Sequence, residues 1–216
     1  MHGGRQTPIA PLRPRAHAVG EGLFDTDDGV VSRRETQAAI IAGHYLHSFP
    51  SGWTYCYRLE DAYAVYSIPA NKNLGPYLFG PDVAIRELAR LWAPDNHAPN
   101  LLTRIIAESA RSLRRDTGVE AVVSFADANH GHHGGVYQAA SWLYTGRSSE
   151  SRVYITPEGR TVSRRSFHSG ATSQIPNVKP VKLPGKHRYV RPLTRQARRA
   201  LRLPTLPYPG SSPEPG

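Results

Sequence analysis

The chain has one cysteine, Cys56, in 216 residues. That excludes an internal disulfide framework and any zinc site built on cysteines, and it fits a reducing compartment. No apolar run approaches the roughly 18 residues that a membrane span needs. The N-terminal stretch carries charge without an apolar core, so no secretory signal is expected. Hydrophobic residues make up 39% and aromatics 9%, lower than in most globular chains yet too rich for a wholly disordered one. The absence that says most is of acid. From Gly159 to Pro213 there are 12 Lys and Arg and no Asp or Glu, whereas the rest of the chain carries 15 basic and 17 acidic residues. The formal net charge of +10 therefore resides in the last quarter. A basic segment without balancing acids points to a polyanion, and inside a cell nucleic acid is the commonest.

The length suits one ordinary domain with a sizeable core. Residues 1–31 show no periodicity and read as a disordered leader. From Ser32 a helix is expected, with Ala38, Ile41, Ala42 and Tyr45 at helical spacing, Ser32 as cap and Glu35 completing a capping box. It should run until Pro50-Ser51-Gly52. Thr54–Leu59 and Ala62–Ile68, rich in Tyr and Val, read as a β-hairpin around Glu60-Asp61. Asn71–Gly80 reads as a loop, and Ala84–Trp92 as a strand whose composition also suits a helix. After the turn cluster Pro94–Asn100, a helix to about Arg115 places Leu102, Ile105, Ile106, Ser109 and Leu113 on one face. Ala121–Ala126 reads as a strand, Val136–Trp142 as a short helix and Leu143–Gly146 as a short strand. Arg152–Ile155 and Arg160–Ser166 read as a second hairpin. Gln174–Gly185 reads as a linker, Thr194–Leu203 as a basic helix and Pro204–Gly216 as a tail. This order describes a mixed α/β domain around one sheet.

The densest chemistry follows the strand at Ala121–Ala126. Asp127 leads a loop with His130, His132, His133 and glycines 131, 134 and 135, and Tyr137 then opens a helix. Loops after strands present functional groups because the sheet fixes their position. An acid at a strand end and a phenol one turn into the next helix are groups that proton transfer needs. The same residue types also make an ordinary polar turn capped by Asp127. The three histidines could bind metal, since His, Asp and Tyr are iron ligands, or form a surface turn that touches phosphate. Cys56, Trp53, Trp92 and Trp142 read as packing.

Taken together, certain motifs resemble the phage Mom DNA-modification family. They are His44-Tyr45, Glu87-Leu88-Ala89-Arg90-Leu91, Asn100-Leu101-Leu102-Thr103 and Ser124-Phe125-Ala126-Asp127. Gly131-His132-His133-Gly134-Gly135-Val136-Tyr137-Gln138-Ala139 follows, then Trp142, and the set closes with Lys186-His187-Arg188-Tyr189-Val190 and Pro207-Tyr208-Pro209. The resemblance spans roughly 38–209. It implies a diverged GNAT acyltransferase fold over 32–170, followed by a basic, Pro-rich extension over 171–216 with a short helix. It implies conversion of adenine in DNA to N6-(carbamoylmethyl)adenine, which protects phage DNA from restriction, in the cytoplasm of the bacterial host.

Carried over residue by residue, the resemblance makes Asp127 a base or an orienter of the adenine amine and Tyr137 an acid. Arg90 becomes a fork for a phosphate or carboxylate; otherwise it is the partner of Glu87 in a buried ion pair. His44 and Tyr45 line the cleft or pack the core. Asn100 and Thr103 would meet a cofactor at the helix start. Lys186, Arg188, Arg195, Arg198, Arg199 and Arg202, with His132 and His133, would meet double-stranded DNA. The donor is acetyl-CoA or an activated glycine derivative, with iron as a further candidate. Two departures stand out: the helix after Pro99 lacks the Gly-rich pyrophosphate loop of ordinary GNAT enzymes, and Pro-Gly ends the tail motif where the family has a lysine. Acetyl transfer would put the carbonyl on the nitrogen, whereas a carbamoylmethyl group attaches through its methylene. A non-catalytic nucleic-acid binder would need no Asp127–Tyr137 pair, and an acetyltransferase for small molecules or proteins would need no acid-free basic run.

Overall fold

The computed structural model describes residues 28–157, 161–163 and 178–210. Two runs rich in Tyr, Val and Ala build the first hairpin, β2 (Thr54–Leu59) and the fully buried β3 (Ala62–Ser67), in which Thr54 faces Ser67 and Leu59 faces Ala62. A short edge strand, β1 (Gly29–Val30), pairs with β2, so residues read as the end of a leader belong to the sheet. Residues 1–27 lie outside the described part. On the other side β3 pairs with β4 (Ile85–Trp92), settling that segment as a strand. β4 then runs parallel to β5 (Ala121–Ala126). With β6 (Leu143–Arg147) and β10 (His187–Pro192), the seven-stranded order is β1-β2-β3-β4-β5-β10-β6, and among the described residues β4–β5 is its one parallel pair.

Parallel strands need a crossover, which here is α3 (Leu101–Thr117). Its stripe of Leu101, Ile105, Ile106 and Leu113 buries against Tyr66, Leu88, Val122 and Trp142. Within that core Tyr66 and Ser109 share a 2.7 Å hydrogen bond, which satisfies two hydroxyls that burial would otherwise penalise. The opposite face of the sheet is covered by α2 (Leu74–Phe79) and α5 (Arg195–Ala200). Leu74, Leu78 and Phe79 meet Ile85, Val123, Val190 and Ala197 there. The loop expected over Asn71–Gly80 thus contains a helix.

Three further expectations are corrected. The first helix, α1 (Arg33–Gly43), keeps its Ser32 cap but ends at Gly43. His44 is the extended C-cap (ψ 135), so His44 and Tyr45 lie just beyond the helix. Gly43 presses on the Trp92 ring, where any Cβ would collide. The segment read as linker contains β9 (Lys179–Leu183), which pairs with β7 (Ser151–Ile155); with β8 (Thr161–Ser163) they form a separate three-stranded sheet. The remainder of the second expected hairpin strand, 160 and 164–166, lies outside the described residues. Finally, the basic segment does not sit apart from the domain. Its strand β10 (His187–Pro192) inserts between β5 and β6 (Leu143–Arg147), antiparallel to both. The tail beyond α5 runs along β6, where Leu206 N–H donates to Tyr144 O and Tyr208 OH to Trp142 O, both 2.9 Å.

Between β5 and β6 the chain turns through residues 127–134 into α4 (Gly135–Ala139). Gly134 sits at φ 83, and an added Cβ would run into the Tyr189 ring. Gly134→Ala should therefore lower stability by about 1–3 kcal/mol, read as a drop in the denaturation midpoint. An unchanged midpoint would mean that the loop has no fixed conformation.

Candidate active site

β4 and β5 pair only over Ile85–Glu87 and Ala121–Val123, then part. At the parting, Ser124 Oγ is hydrogen-bonded to Leu88 O and to the Tyr137 hydroxyl, each at 2.8 Å. Beyond it lies a cleft of two lobes, about 880 and about 720 Å³, in the size range of small-ligand sites. Tyr45, Leu46, Ser151 and Lys186 line both lobes.

Asp127 lines the first lobe at the end of β5. The ladder sets its partner: His187 faces Ala126, so the next step out places Lys186 beside Asp127. Lys186 Nζ lies 2.8 Å from Asp127 Oδ2, with the carboxylate buried. Asp127 Oδ1 accepts from the Asn129 backbone N–H (3.1 Å) and side-chain amide (2.9 Å). Burial pushes this carboxyl up, but the bonds from Lys186 and Asn129 outweigh it and hold the group below the ordinary aspartate value. Asp127 is therefore a fixed anion, better suited to accepting a hydrogen bond than to taking up a proton.

Beside it lies an aromatic shelf. The Tyr45 ring stacks on His44 at 4.5 Å and meets His130 and His132 at 5.0 and 4.8 Å. Tyr45 is 41% exposed and lines both lobes, so part of its ring is accessible to a ligand. His44 is buried, and its Nδ1 accepts from Leu46 N–H at 3.1 Å. Its proton therefore sits on Nε2. Burial, followed by the charges of Arg90, His132 and His47, lowers its pKa from 6.5 to about 4.

The second lobe holds Glu87 and Arg90. They form no ion pair. Arg90 Nε and Nη2 donate to Ser48 O (2.9 Å) and Ser48 Oγ (3.0 Å), and Nη1 donates to Ala89 O (2.6 Å). Its fork thus ties down the loop that carries Tyr45. The Glu87 carboxylate has no hydrogen bond or ion pair among the described residues, and burial raises its pKa, with Arg90 and Lys186 offsetting part of the rise. Glu87 is the residue that reading the sequence undervalued. Its signal was an acid inside a strand whose other charged residues, Arg86 and Arg90, are both basic.

Several expected site residues lie elsewhere. Tyr137 is 8% exposed and lines neither lobe; burial pushes its hydroxyl up to about 12. Its place is in the core, against Trp142 and Tyr189. Asn100 and Thr103 line neither lobe; Thr103 Oγ1 donates to Asn100 O at 2.8 Å, so that polar group is used within the helix start. Arg188, expected on DNA, is buried and donates to Thr145 O (2.7 Å) and Thr145 Oγ1 (2.9 Å) at the second lobe. Arg202 donates to Pro76 O at 3.3 Å, while Arg195, Arg198 and Arg199 are exposed on α5, away from both lobes. His132 is exposed beside Tyr45. His133 is half-buried, and its carbonyl accepts from the Tyr189 hydroxyl.

Iron needs several ligands converging on one point. Among the described residues no group of three or more His, Cys, Asp and Glu side chains is so gathered. Asp127 is committed to Lys186 and Asn129, so this side-chain arrangement does not fit a resident metal.

Fold and cleft together define a mixed α/β protein whose cleft is lined by a fixed carboxylate, an aromatic shelf and several cationic side chains. A model of the Mom protein family matches residues 29–210, and the chain belongs to that family of phage DNA-modification proteins. No curated protein matches it in sequence. No helix among the described residues is long and apolar enough to cross a membrane.

The His44 environment gives a pH test. The folded imidazole resists protonation, so the unfolded chain takes the proton first as pH falls. Above about 6.5 both states are neutral and His44 makes no difference; stability falls as the pH drops from about 6.5 towards 4, and below about 4 the full loss is present. The melting temperature should therefore drop across that window, and His44→Gln should remove part of the drop. Equal drops in both proteins would show that His44 is solvated.

Proposed function

We propose that the chain converts adenine in DNA to N6-(carbamoylmethyl)adenine and so shields phage DNA from restriction in the infected cell. The observation that carries this reading is the buried Asp127 carboxylate, held by the partly exposed Lys186 in a lobe that the aromatic shelf of Tyr45 also lines, in a member of the Mom family. The GNAT-like ancestry rests on the motif resemblance alone.

The target amine is paired inside a duplex, so the base must leave the stack, at a cost of a few kcal/mol. Tyr45 supplies a face on which an extrahelical base can stack. Asp127, an anion by its surroundings, accepts one N6–H and fixes the amine. A carbamoylmethyl product requires the N6–carbon bond to form at a methylene, and a donor of the class X–CH2–C(O)NH2 balances this. N6 attacks the methylene carbon, X departs with the bonding pair, and the second N6 proton must go to a base. Glu87, with its raised pKa and unbonded carboxylate, is that base. Arg90 acts as a positioning residue through Ser48. Asn100 and Thr103 lie off the cleft, and among the described residues no side-chain set gathers for iron, so each step is assigned to the residues that line the cleft.

DNA from cells expressing the chain, digested to nucleosides and weighed by mass spectrometry, tests this reading. Glu87→Gln and Asp127→Asn should each lower the yield of modified adenosine by about 10²–10⁴, with soluble expression unchanged. Tyr137→Phe, by contrast, should mainly affect stability. Unmodified DNA from the wild type would reject the function, and a normal yield from Glu87→Gln would reject its role as base.

A further inference from the structure

The basic residues best placed to meet a ligand are on the small sheet rather than on α5. In the β7–β9 ladder Arg152 lies directly opposite Lys182. Cross-strand neighbours of like charge repel and weaken a sheet, so this pairing makes little sense for the ribbon alone. Among the described residues the acid paired with Lys182 is Glu150, whose carboxylate is 4.0 Å from Lys182 Nζ with both side chains exposed; such a pair contributes little. Arg152 and Lys182 both line the first lobe, across from Tyr45, Asp127 and His130. Lys186 lines the same lobe and is already engaged by Asp127. A ligand in that lobe therefore meets two closely spaced cations whose repulsion an anion would relieve.

We infer that Arg152 and Lys182 form a clamp for the DNA backbone, gripping the phosphates that flank the base held in the first lobe. This rests on the DNA-modification reading and adds to it which element grips the strand. Phosphate contacts fix register and orientation without reading sequence, which suits a ribbon at the mouth of a pocket. Arg195, Arg198 and Arg199 face solvent on the helix that covers the sheet's other layer and border neither lobe. They contribute at most a diffuse field.

The test uses the purified full chain and a labelled random-sequence duplex, with affinity measured against salt. Each neutralised phosphate adds about 0.9 to the slope of log affinity against log salt. Arg152→Gln with Lys182→Gln should flatten the slope by about two units, each single variant by about one, and Arg195→Gln with Arg198→Gln by clearly less. Because a repulsive pair is removed, the double variant should melt no lower than the wild type. A wild-type slope in a double variant that melts normally overturns the clamp. A greater flattening in the α5 variant overturns it as well. The two readings separate cleanly: a wild type that binds with a steep slope but leaves adenine unmodified rejects the reaction and keeps the clamp. A wild type that modifies DNA while the double variant keeps its slope rejects the clamp alone.

Discussion

The contact between Asp127 and Lys186 organises this molecule. A carboxylate buried at the end of β5 would be costly alone, and its cation comes from a segment roughly 60 residues later in the chain. The two meet because β10 enters the sheet between β5 and β6 in a register that leaves them side by side. The same insertion orders the His-rich turn, since Tyr189 of β10 packs on Gly134 and bonds the His133 carbonyl. Lys186 also lines both lobes. Sheet closure, loop order and cleft shape thus depend on one strand finding its place.

Around that contact, similar groups acquire different roles from their surroundings. Asp127 and Glu87 are both shielded carboxylic acids near Lys186. The first accepts three hydrogen bonds, one from Lys186 and two from Asn129, that favour its charge, and it stays ionised. The second has burial without bonds, and its pKa rises. His44 is held neutral by burial and neighbouring positive charge, so it shapes the shelf without adding to the field. Environments that push two acids apart in this way are how one pocket can both orient an amine and accept its proton.

Much of this could be read from the chain. The β2–β3 hairpin, α3 and β5 announce themselves through local periodicity, and Asp127 follows from where β5 must end. What stayed hidden depended on distant partners. β10 looks like part of a basic extension because its pairing residues are far away in sequence. β9 is masked by Pro180 and its lysines, and α2 by Gly75 and Pro76 inside an Asn- and Gly-rich stretch. Tyr137 shows how position along an element differs from orientation. It does open a helix after the loop, but its ring turns inward to the Ser124 hydroxyl. Arg90 is likewise in the cleft, yet its fork is engaged by a loop carbonyl and hydroxyl that no pattern marks.

The claim at the centre is that Asp127 and Lys186 act as one unit, and a double-mutant cycle on modified-adenosine yield tests it most directly. Asp127→Asn, Lys186→Gln and the double variant would be compared at equal soluble expression. If the pair works as a unit, the double variant loses no more than the worse single variant. Losses that multiply would show two independent contributions and contradict the account.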